Sequence, residues 1–151
     1  MKFVFCALMA LGAVINCNAQ SPAEPIKFDE YGSGLSLDEQ DRLNEFAREL
    51  KTQPEAQVYI LSYGGQHSCT TDARKNADRV KAYLIKQQID ASRIVTVEAG
   101  YKEAPTFEFW IVPSGASPPN VSPSVDPSEV VPDKSCFKAP VKRRAKKKAK
   151  G

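Results

Sequence analysis

Two side chains that could do chemistry lie close together in the stretch YGGQHSC, where His67 and Cys69 flank Ser68. A cysteine nucleophile needs an imidazole opposed to it in space and a third group that orients the imidazole. The sequence offers no such third group. A zinc site needs four protein ligands, or three for catalysis, and the residues at hand are too few. We therefore expect a protein that is not an enzyme and that binds no metal and no cofactor.

The four cysteines divide into two pairs. Cys6 and Cys17 lie in the leader described below, which leaves Cys69 and Cys136 in the mature chain. In an exported protein these two can form a disulfide if the fold brings them together. On the chain-entropy model such a bridge would stabilise the protein by about 4 kcal/mol. The alternative is two free thiols, one of them in a flexible linker.

The last fifteen residues, 137–151, carry the strongest charge signal, with eight basic residues and no acidic one. In contrast, residues 20–115 carry 11 basic and 15 acidic residues, and residues 116–136 have a net charge of −2. A run of this kind binds polyanions by releasing their counterions. Candidate partners are anionic envelope polymers, lipid head groups and extracellular DNA. The residues proposed for this contact are Lys142, Arg143, Arg144, Lys146, Lys147 and Lys148. The alternative is a solubilising tail without a fixed partner.

Residues 1–19 have the pattern of a secretory signal. One lysine precedes an apolar run from Phe3 to Ile15, and cleavage is expected after Ala19. The run is shorter than the roughly 20 residues that a membrane-spanning helix needs. We therefore expect export to the periplasm or cell envelope. Lipid attachment at Cys17 is an alternative, although Asn16 stands where lipobox signals have a small residue.

Helices and strands must position these residues. The first half of the chain predicts two strands and one helix. The segment PIKFDEYG alternates weakly, as a strand does. A helix follows from Ser36 to Pro54, with Glu39 three residues after Ser36 in the spacing of a capping box. AQVYILSY is then a second strand, rich in Val, Ile and Tyr. The apolar stripe of the helix is Leu43, Phe46, Ala47 and Leu50.

The second half predicts another helix and two strands. The helix runs from Thr70 or Thr71 to about Gln88, and RIVTVEAGY and TFEFWIVP follow as strands. The short KEAP connection suggests that these two strands form a hairpin. The apolar stripe of this helix is Ala73, Ala77, Val80 and Leu84.

The predicted order makes an α/β fold, a two-layer β-α-β-α-β sandwich with one more strand, over residues 20–115. Residues 116–136 are rich in Pro and Ser without periodicity, which predicts an extended, disordered linker. Residues 137–151 are predicted to be a disordered basic tail.

The element order, the strand VYILSYGG and the stretch ADRVKAYLIKQQIDASRIVTVEAGY resemble the OmpA-like C-terminal domain family. The resemblance covers residues 25–113, and it implies the sandwich fold together with a location in the cell envelope. The residues that match the family pattern are Ala77, Val80, Tyr83, Leu84, Ile89, Arg93 and Gly100.

The resemblance also implies non-covalent binding of peptidoglycan, whose diaminopimelate the family holds between an Asp after the second strand and an Arg on the second helix. A guanidinium pairs with the carboxylate of diaminopimelate, and a protein carboxylate pairs with its ammonium group. Here Asn76 stands at the Arg position, and Gly64 or Gly65 stands at the Asp position. Asp72 and Arg79 share one helix flank with Asn76 and could replace the pair. The alternative is an ordinary solvated flank.

Three functions follow as hypotheses. The first is an exported cell-envelope protein that binds peptidoglycan through its domain and is anchored by its basic tail. The second is a module that keeps the fold, has lost the wall ligand and binds another envelope protein. The third, from the enzyme class, is a thiol function at Cys69.

Overall fold

The computed structural model describes residues 23–32 and 37–137. The predicted leader and the six basic residues proposed to bind polyanions lie outside these ranges. The described part confirms the α/β class and the order β-α-β-α-β-β. Its elements are β1 (Ile26–Gly32), α1 (Leu37–Thr52), β2 (Gln57–Gly65), α2 (Asp72–Lys86), β3 (Ile94–Lys102) and β4 (Thr106–Val112).

Both helices bury their apolar stripes against one face of the sheet, as their spacing requires. Ala73 is the exception, because it is only half-buried. The buried helix residues are Leu43, Phe46, Ala47 and Leu50 of α1 and Ala77, Val80 and Leu84 of α2. They share a core with the strand residues Val58, Ile60, Ile94, Phe107, Phe109 and Ile111.

The strands lie in the order β1-β4-β2-β3 across one sheet. β4 is antiparallel to both of its neighbours, whereas β3 is parallel to β2 at the edge of the sheet. The predicted hairpin of β3 and β4 is therefore wrong, because β2 separates them. The burial of β4 explains the difference: its sequence TFEFWIV is nearly apolar on both faces, which suits a central strand.

Residues 116–136 do not form the predicted disordered linker, and we call them the strap. They keep the extended path expected of their composition, but they return across the sheet and make fixed contacts. Val125 is 9% exposed, and its N–H donates to the carbonyl of Tyr101 on β3 at 3.1 Å. The N–H of Ser122 donates to the hydroxyl of Tyr63 at 3.1 Å. Pro and Ser weaken regular structure, but they do not prevent an extended chain from packing against a sheet.

Candidate functional site

Arg79, the proposed substitute for the missing arginine, points at the first turn of α1. Its two terminal nitrogens donate to the two carboxylate oxygens of Glu39 at 2.9 and 2.8 Å. Glu39 is 4% exposed, and the side chain of Arg79 is 33% exposed. Bidentate pairing of this kind is among the strongest hydrogen-bonded contacts between side chains. The guanidinium of Arg79 is thus already neutralised by the protein itself.

The same contact changes the role expected of Glu39. The predicted capping box needs Ser36, which lies outside the described residues. The carboxylate of Glu39 also reaches α2 through Arg79, so it links the two helices. The hydroxyl of Tyr31 lies 3.4 Å from the same carboxylate.

Asp72 and Asn76 do not complete a ligand site with Arg79. One carboxylate oxygen of Asp72 accepts the backbone N–H of Cys69 at 3.0 Å, and the other lies 4.0 Å from the ammonium of Lys75. Asn76 is half-buried on the next turn. Among the described residues, no hydrogen bond or ion pair joins either side chain to Arg79. The carboxylate of Asp72 therefore stabilises the start of α2, where a negative charge is favourable.

Gly64 and Gly65 lie in closely packed positions at the end of β2, where a side chain would meet its neighbours. A Cβ on Gly64 would lie 2.8 Å from the ring of Tyr101, and one on Gly65 would lie 2.6 Å from Pro105. Pro105 belongs to the connection from β3 to β4, which must cross the end of β2 because β2 lies between them. Of the two glycines proposed as ligand-binding residues, Gly65 thus makes room for this crossing and Gly64 makes room for the ring of Tyr101 on β3.

An open cleft of about 220 Å³ lies where β2 and β3 end and α2 begins. Ligands of open α/β sheets commonly bind beyond the carboxyl ends of parallel strands. Among the described residues that line it, Glu98 supplies a carboxylate and none supplies a cation. The cleft can therefore pair with the ammonium group of diaminopimelate, but its described lining residues offer no positive charge to the carboxylate. Its lining residues are Gly64, Cys69, Thr70, Ala73, Glu98, Gly100 and Tyr101.

The face of the sheet away from the helices holds a second buried carboxylate, that of Glu108, which is 2% exposed. Lys102 donates to one of its oxygens at 2.9 Å and the indole N–H of Trp110 to the other at 3.1 Å. The ammonium of Lys27 lies 3.5 Å away. The ammonium of Lys102 also lies 4.2 Å from the ring centre of Tyr63. These contacts offset the cost of burying a carboxylate.

Both buried carboxylates affect the ionisation of a neighbour. Burial alone would lower the pKa of Lys102, but hydrogen bonds to Glu108 and Glu30 outweigh it and raise that pKa. On the helix side, burial raises the pKa of Tyr31, and the adjacent Glu39 raises it further. At neutral pH Lys102 is therefore cationic and Tyr31 is neutral.

Cys69 and Cys136 are joined by a disulfide that closes a loop of sequence separation 67. Of the two alternatives that the sequence left open, the structure shows the bridge. A sulfur in a disulfide is not a thiolate nucleophile, so this state of the protein does not support a thiol function at Cys69. His67 lies in the same loop, where one ring nitrogen is 3.3 Å from the carbonyl oxygen of Val131 in the strap.

Further contacts fasten the strap to the loop that carries Cys69. The N–H of Val131 donates to the carbonyl of Gln66 at 2.9 Å, and the N–H of Asp133 donates to that of His67 at 3.2 Å. The end of the strap is thus held by backbone hydrogen bonds and by one covalent bond. The eight basic residues of the last fifteen positions begin at Lys138, two positions beyond Cys136.

Comparison with known proteins does not identify the chain. No protein-family model and no curated protein matches it. Within the described ranges, no helix is long and apolar enough to cross a bilayer, and no group of three or more His, Cys, Asp or Glu side chains is placed to hold a metal ion. The likeness to OmpA-like domains stays a prediction that rests on the matching residues.

Sequence reasoning missed the two buried carboxylates that organise the domain. Glu108 had a visible signal, because it is a single charge inside the otherwise apolar stretch from Phe107 to Val112. Glu39 had none, since an acidic residue in the first turn of a helix is expected on electrostatic grounds alone. Its pairing with Arg79 joins residues 40 positions apart in the chain.

Proposed function

We propose that this chain is a non-enzymatic anchor protein, exported to the cell envelope, whose α/β domain holds a basic C-terminal segment against an anionic surface. The observation that carries the proposal is the covalent attachment of the strap at Cys136. A basic run bound to a folded domain at its first residues acts as an extension of that domain. The proposal assigns the domain a positioning role and assigns the contact with the partner to residues 138–150.

The charge distribution supports this division of roles. Residues 138–150 contain all eight basic groups of the last fifteen residues, whereas residues 20–115 have a net charge of −4. An anionic surface repels the acidic part of the protein, residues 20–115. The domain therefore does not compete with the basic segment for that surface. The leader sequence and the disulfide support export, because disulfides persist in oxidising compartments. The resemblance to OmpA-like domains supports the envelope as the destination.

The experiment compares the exported chain with a variant in which Lys142, Arg143, Arg144, Lys146, Lys147 and Lys148 are all replaced by Gln. Both proteins are recovered after export and applied to immobilised polyphosphate at low and high salt. We expect the unmodified chain to bind at low salt and to lose about a thousandfold in affinity between 50 and 200 mM salt, as six phosphate contacts would imply. The Gln variant is expected not to bind. Equal binding of the two proteins would contradict the proposal, because the domain would then carry the contact.

Peptidoglycan binding by the domain is the second candidate, and the cleft beside Glu98 is the observation in its favour. The described lining residues of the cleft supply no cation for a ligand carboxylate, and Arg79 is already paired with Glu39, so the expected affinity is low. The test is co-sedimentation of the six-Gln variant with insoluble peptidoglycan sacculi, which removes the contribution of the tail. Binding that disappears on Glu98→Gln would establish this second function. Failure of the six-Gln variant to sediment would exclude it and leave the first function untouched.

The role of Arg79 needs a control of its own in that assay. Arg79→Ala alone leaves Glu39 buried without its guanidinium, so lost binding could reflect lost structure. The double variant Glu39→Leu, Arg79→Met replaces the pair by apolar groups of similar size, which proteins often tolerate. Loss of sedimentation in this folded double variant would assign the guanidinium to the ligand.

A further inference from the structure

β3 lies at the edge of the sheet, with β2 on one side. Within the described residues, the strap forms backbone hydrogen bonds with the outer edge of β3 only at Tyr101, whose carbonyl accepts the N–H groups of Ser124 and Val125. The part of this edge that stays open to another strand is Ile94–Glu98. An open edge presents a row of unpaired N–H and C=O groups, which can pair with a further strand.

The opposite edge of the sheet, β1, carries features that prevent such pairing. Its register with β4 shifts between Lys27 and Asp29, which marks a bulge. Lys27, Asp29 and Glu30 are charged, and the carboxylate of Asp29 accepts the N–H of Glu30 at 2.8 Å. Bulges and charged side chains are the usual protection of an edge strand. β3 has neither between Ile94 and Val97, so it is the edge that can accept a partner.

The open edge of β3 is complementary to a second copy of itself. Antiparallel pairing about a two-fold axis at Thr96 places Val95 of one copy opposite Val97 of the other. The same axis places Glu98 of one copy opposite Ile94 of the other. Cross-strand pairs of β-branched side chains stabilise antiparallel strands. Val95 and Val97 are only half-buried in the single copy, so the pairing would remove further apolar surface from water.

The charges beside the open edge are complementary across this axis. The ammonium of Lys81 on α2 donates to the carbonyl of Ile94 at 3.0 Å, which places it at one end of the edge. Glu98 is exposed at the other end, and its carboxylate has no hydrogen bond or ion pair within the described residues. Ile94 packs among the helices, and Glu98 lies on the same side of the sheet because side chains alternate along a strand. Each Glu98 would therefore meet the Lys81 of the other copy.

The flank of α2 beside the open edge adds an apolar side chain to this surface. At about 100° per residue, Ile85 shares a flank with Lys81, and it is 42% exposed. Arg79 and Tyr83 on the other flank contact α1, so Ile85 faces away from that helix. Protein interfaces combine an apolar centre with a polar rim. Ile85 and the two valines supply the apolar part here, and Lys81 and Glu98 supply the charges.

We propose that the protein forms a two-fold homodimer in which the β3 strands of two copies pair antiparallel along Ile94–Glu98 and join their sheets into one. Glu98 of each copy forms an ion pair with Lys81 of the other, so the pair occurs twice. This inference goes beyond the proposed anchoring function and does not depend on it, because all the residues that carry it belong to the α/β domain.

The test measures the sedimentation velocity of the exported chain over the micromolar concentration range. Two single variants, Glu98→Lys and Lys81→Glu, each place like charges opposite each other at both ends of the paired strands. Glu45→Lys is the matched control, because it makes the same change of charge on α1 beside β1, at the opposite edge of the sheet. Intact mass verifies that all the proteins have the same N-terminus, and thermal unfolding verifies that they are equally folded.

We expect the unmodified chain and Glu45→Lys to shift from monomer to dimer as the concentration rises. Glu98→Lys and Lys81→Glu are each expected to weaken the dimer about a hundredfold, because like charges then oppose each other across the interface. An equimolar mixture of these two variants is expected to dimerise again, since one copy then carries two lysines and the other two glutamates at the paired positions. No contact within a single copy can produce this recovery.

Four results would overturn the inference, and each would leave the anchoring function standing. The first is an unmodified chain that stays monomeric throughout the range. The second is equal dimerisation by Glu98→Lys and the unmodified chain, which would assign the dimer to another surface. The third is an equal loss in Glu45→Lys, which would assign the effect to net charge. The fourth is a mixture of the folded Glu98→Lys and Lys81→Glu variants that stays monomeric.

Discussion

The two faces of the sheet are covered by different kinds of chain. The helix face is covered by α1 and α2, whose apolar stripes form one large core. The opposite face holds a smaller cluster and is crossed by the strap, which contains no regular helix beyond short 3₁₀ turns. Each side nevertheless contains one carboxylate that is almost completely buried, Glu39 at 4% exposure and Glu108 at 2%.

The two carboxylates are compensated in different ways. Glu39 has both oxygens engaged by one guanidinium, that of Arg79. Glu108 is met by Lys102, Trp110 and Lys27, each through a separate contact. Removal of Arg79 should therefore cost more than removal of Lys102, because Arg79 engages both oxygens of Glu39 whereas Lys102 engages one oxygen of Glu108. This comparison teaches that the share of the compensating contacts supplied by one partner, and not burial alone, decides how much is lost when that partner is removed.

The largest effect is expected on the strap face, from removal of the disulfide. The double variant Cys69→Ser, Cys136→Ser should lower the free energy of unfolding by about 4 kcal/mol, because the unfolded chain regains the freedom of a long loop. Denaturant unfolding gives this value. Amide hydrogen exchange should show faster exchange at Val131 and Asp133 and unchanged protection in α1 and α2. Unchanged exchange in the strap would show that its hydrogen bonds suffice without the bridge.

The next largest effect is expected on the helix face. Arg79→Ala should lower the free energy of unfolding by about 3 kcal/mol, because Glu39 loses its bidentate partner while it stays buried. The control is the Glu39→Leu, Arg79→Met double variant, which should recover most of the loss. Thermal and denaturant unfolding measure both. A loss below about 1 kcal/mol, the usual range of an exposed pair, would mean that water replaces the guanidinium.

A smaller effect should follow the equivalent change on the strap face. Lys102→Ala should cost about 1–2 kcal/mol, since Lys27 and Trp110 remain beside Glu108. The comparison with Arg79→Ala under identical conditions tests the difference between the two faces directly. Equal losses in the two variants would contradict the argument that Arg79, which engages both oxygens of its carboxylate, contributes more than Lys102.

The smallest effect is a dependence on alkaline pH, to which groups on both faces contribute. The pKa of Lys102 and the pKa of Tyr31 are both raised in the folded protein. A raised pKa contributes stability below the unfolded value, and that stability is lost as the pH rises through the folded value. The free energy of unfolding should therefore decrease above pH of about 10.

Two substitutions separate the contributions of the faces to this decrease. Lys102→Arg keeps the cation throughout the alkaline range and should reduce the dependence from the strap face. Tyr31→Phe should remove the dependence from the helix face. Denaturant unfolding measured from neutral pH to about pH 11 gives both slopes. A slope that neither substitution changes would assign the alkaline dependence to other groups.

Local sequence patterns predicted the regular elements well, whereas the candidate ligand site stays a prediction whose local contacts the sequence did not reveal. The spacing of apolar residues was sufficient to predict α1 and α2 and their buried faces, because a helix buries the face that carries its apolar residues. The hairpin of β3 and β4 was wrong, since a short connection does not reveal that another strand lies between its ends. Gly64 and Gly65 were interpreted as part of a ligand site, and the sequence did not reveal that they pack against Tyr101 of β3 and Pro105 of that connection. Arg79 was interpreted as a ligand-binding residue from its position on the helix flank, and its pairing with Glu39, which is distant in the chain, was not visible in local patterns.

The sequence by itself determined the two helices, the four strands, the division of charge between an acidic body and a basic end, and the possibility of one disulfide. These properties depend on composition and on spacing within a few residues, where the periods of helix and strand apply. Only the tertiary structure decided the central position of β4, the docking of the strap, the pairing of Cys69 with Cys136 and the partners of the two buried carboxylates. Such contacts join residues far apart in the chain, and they form only where folding removes both partners from water together.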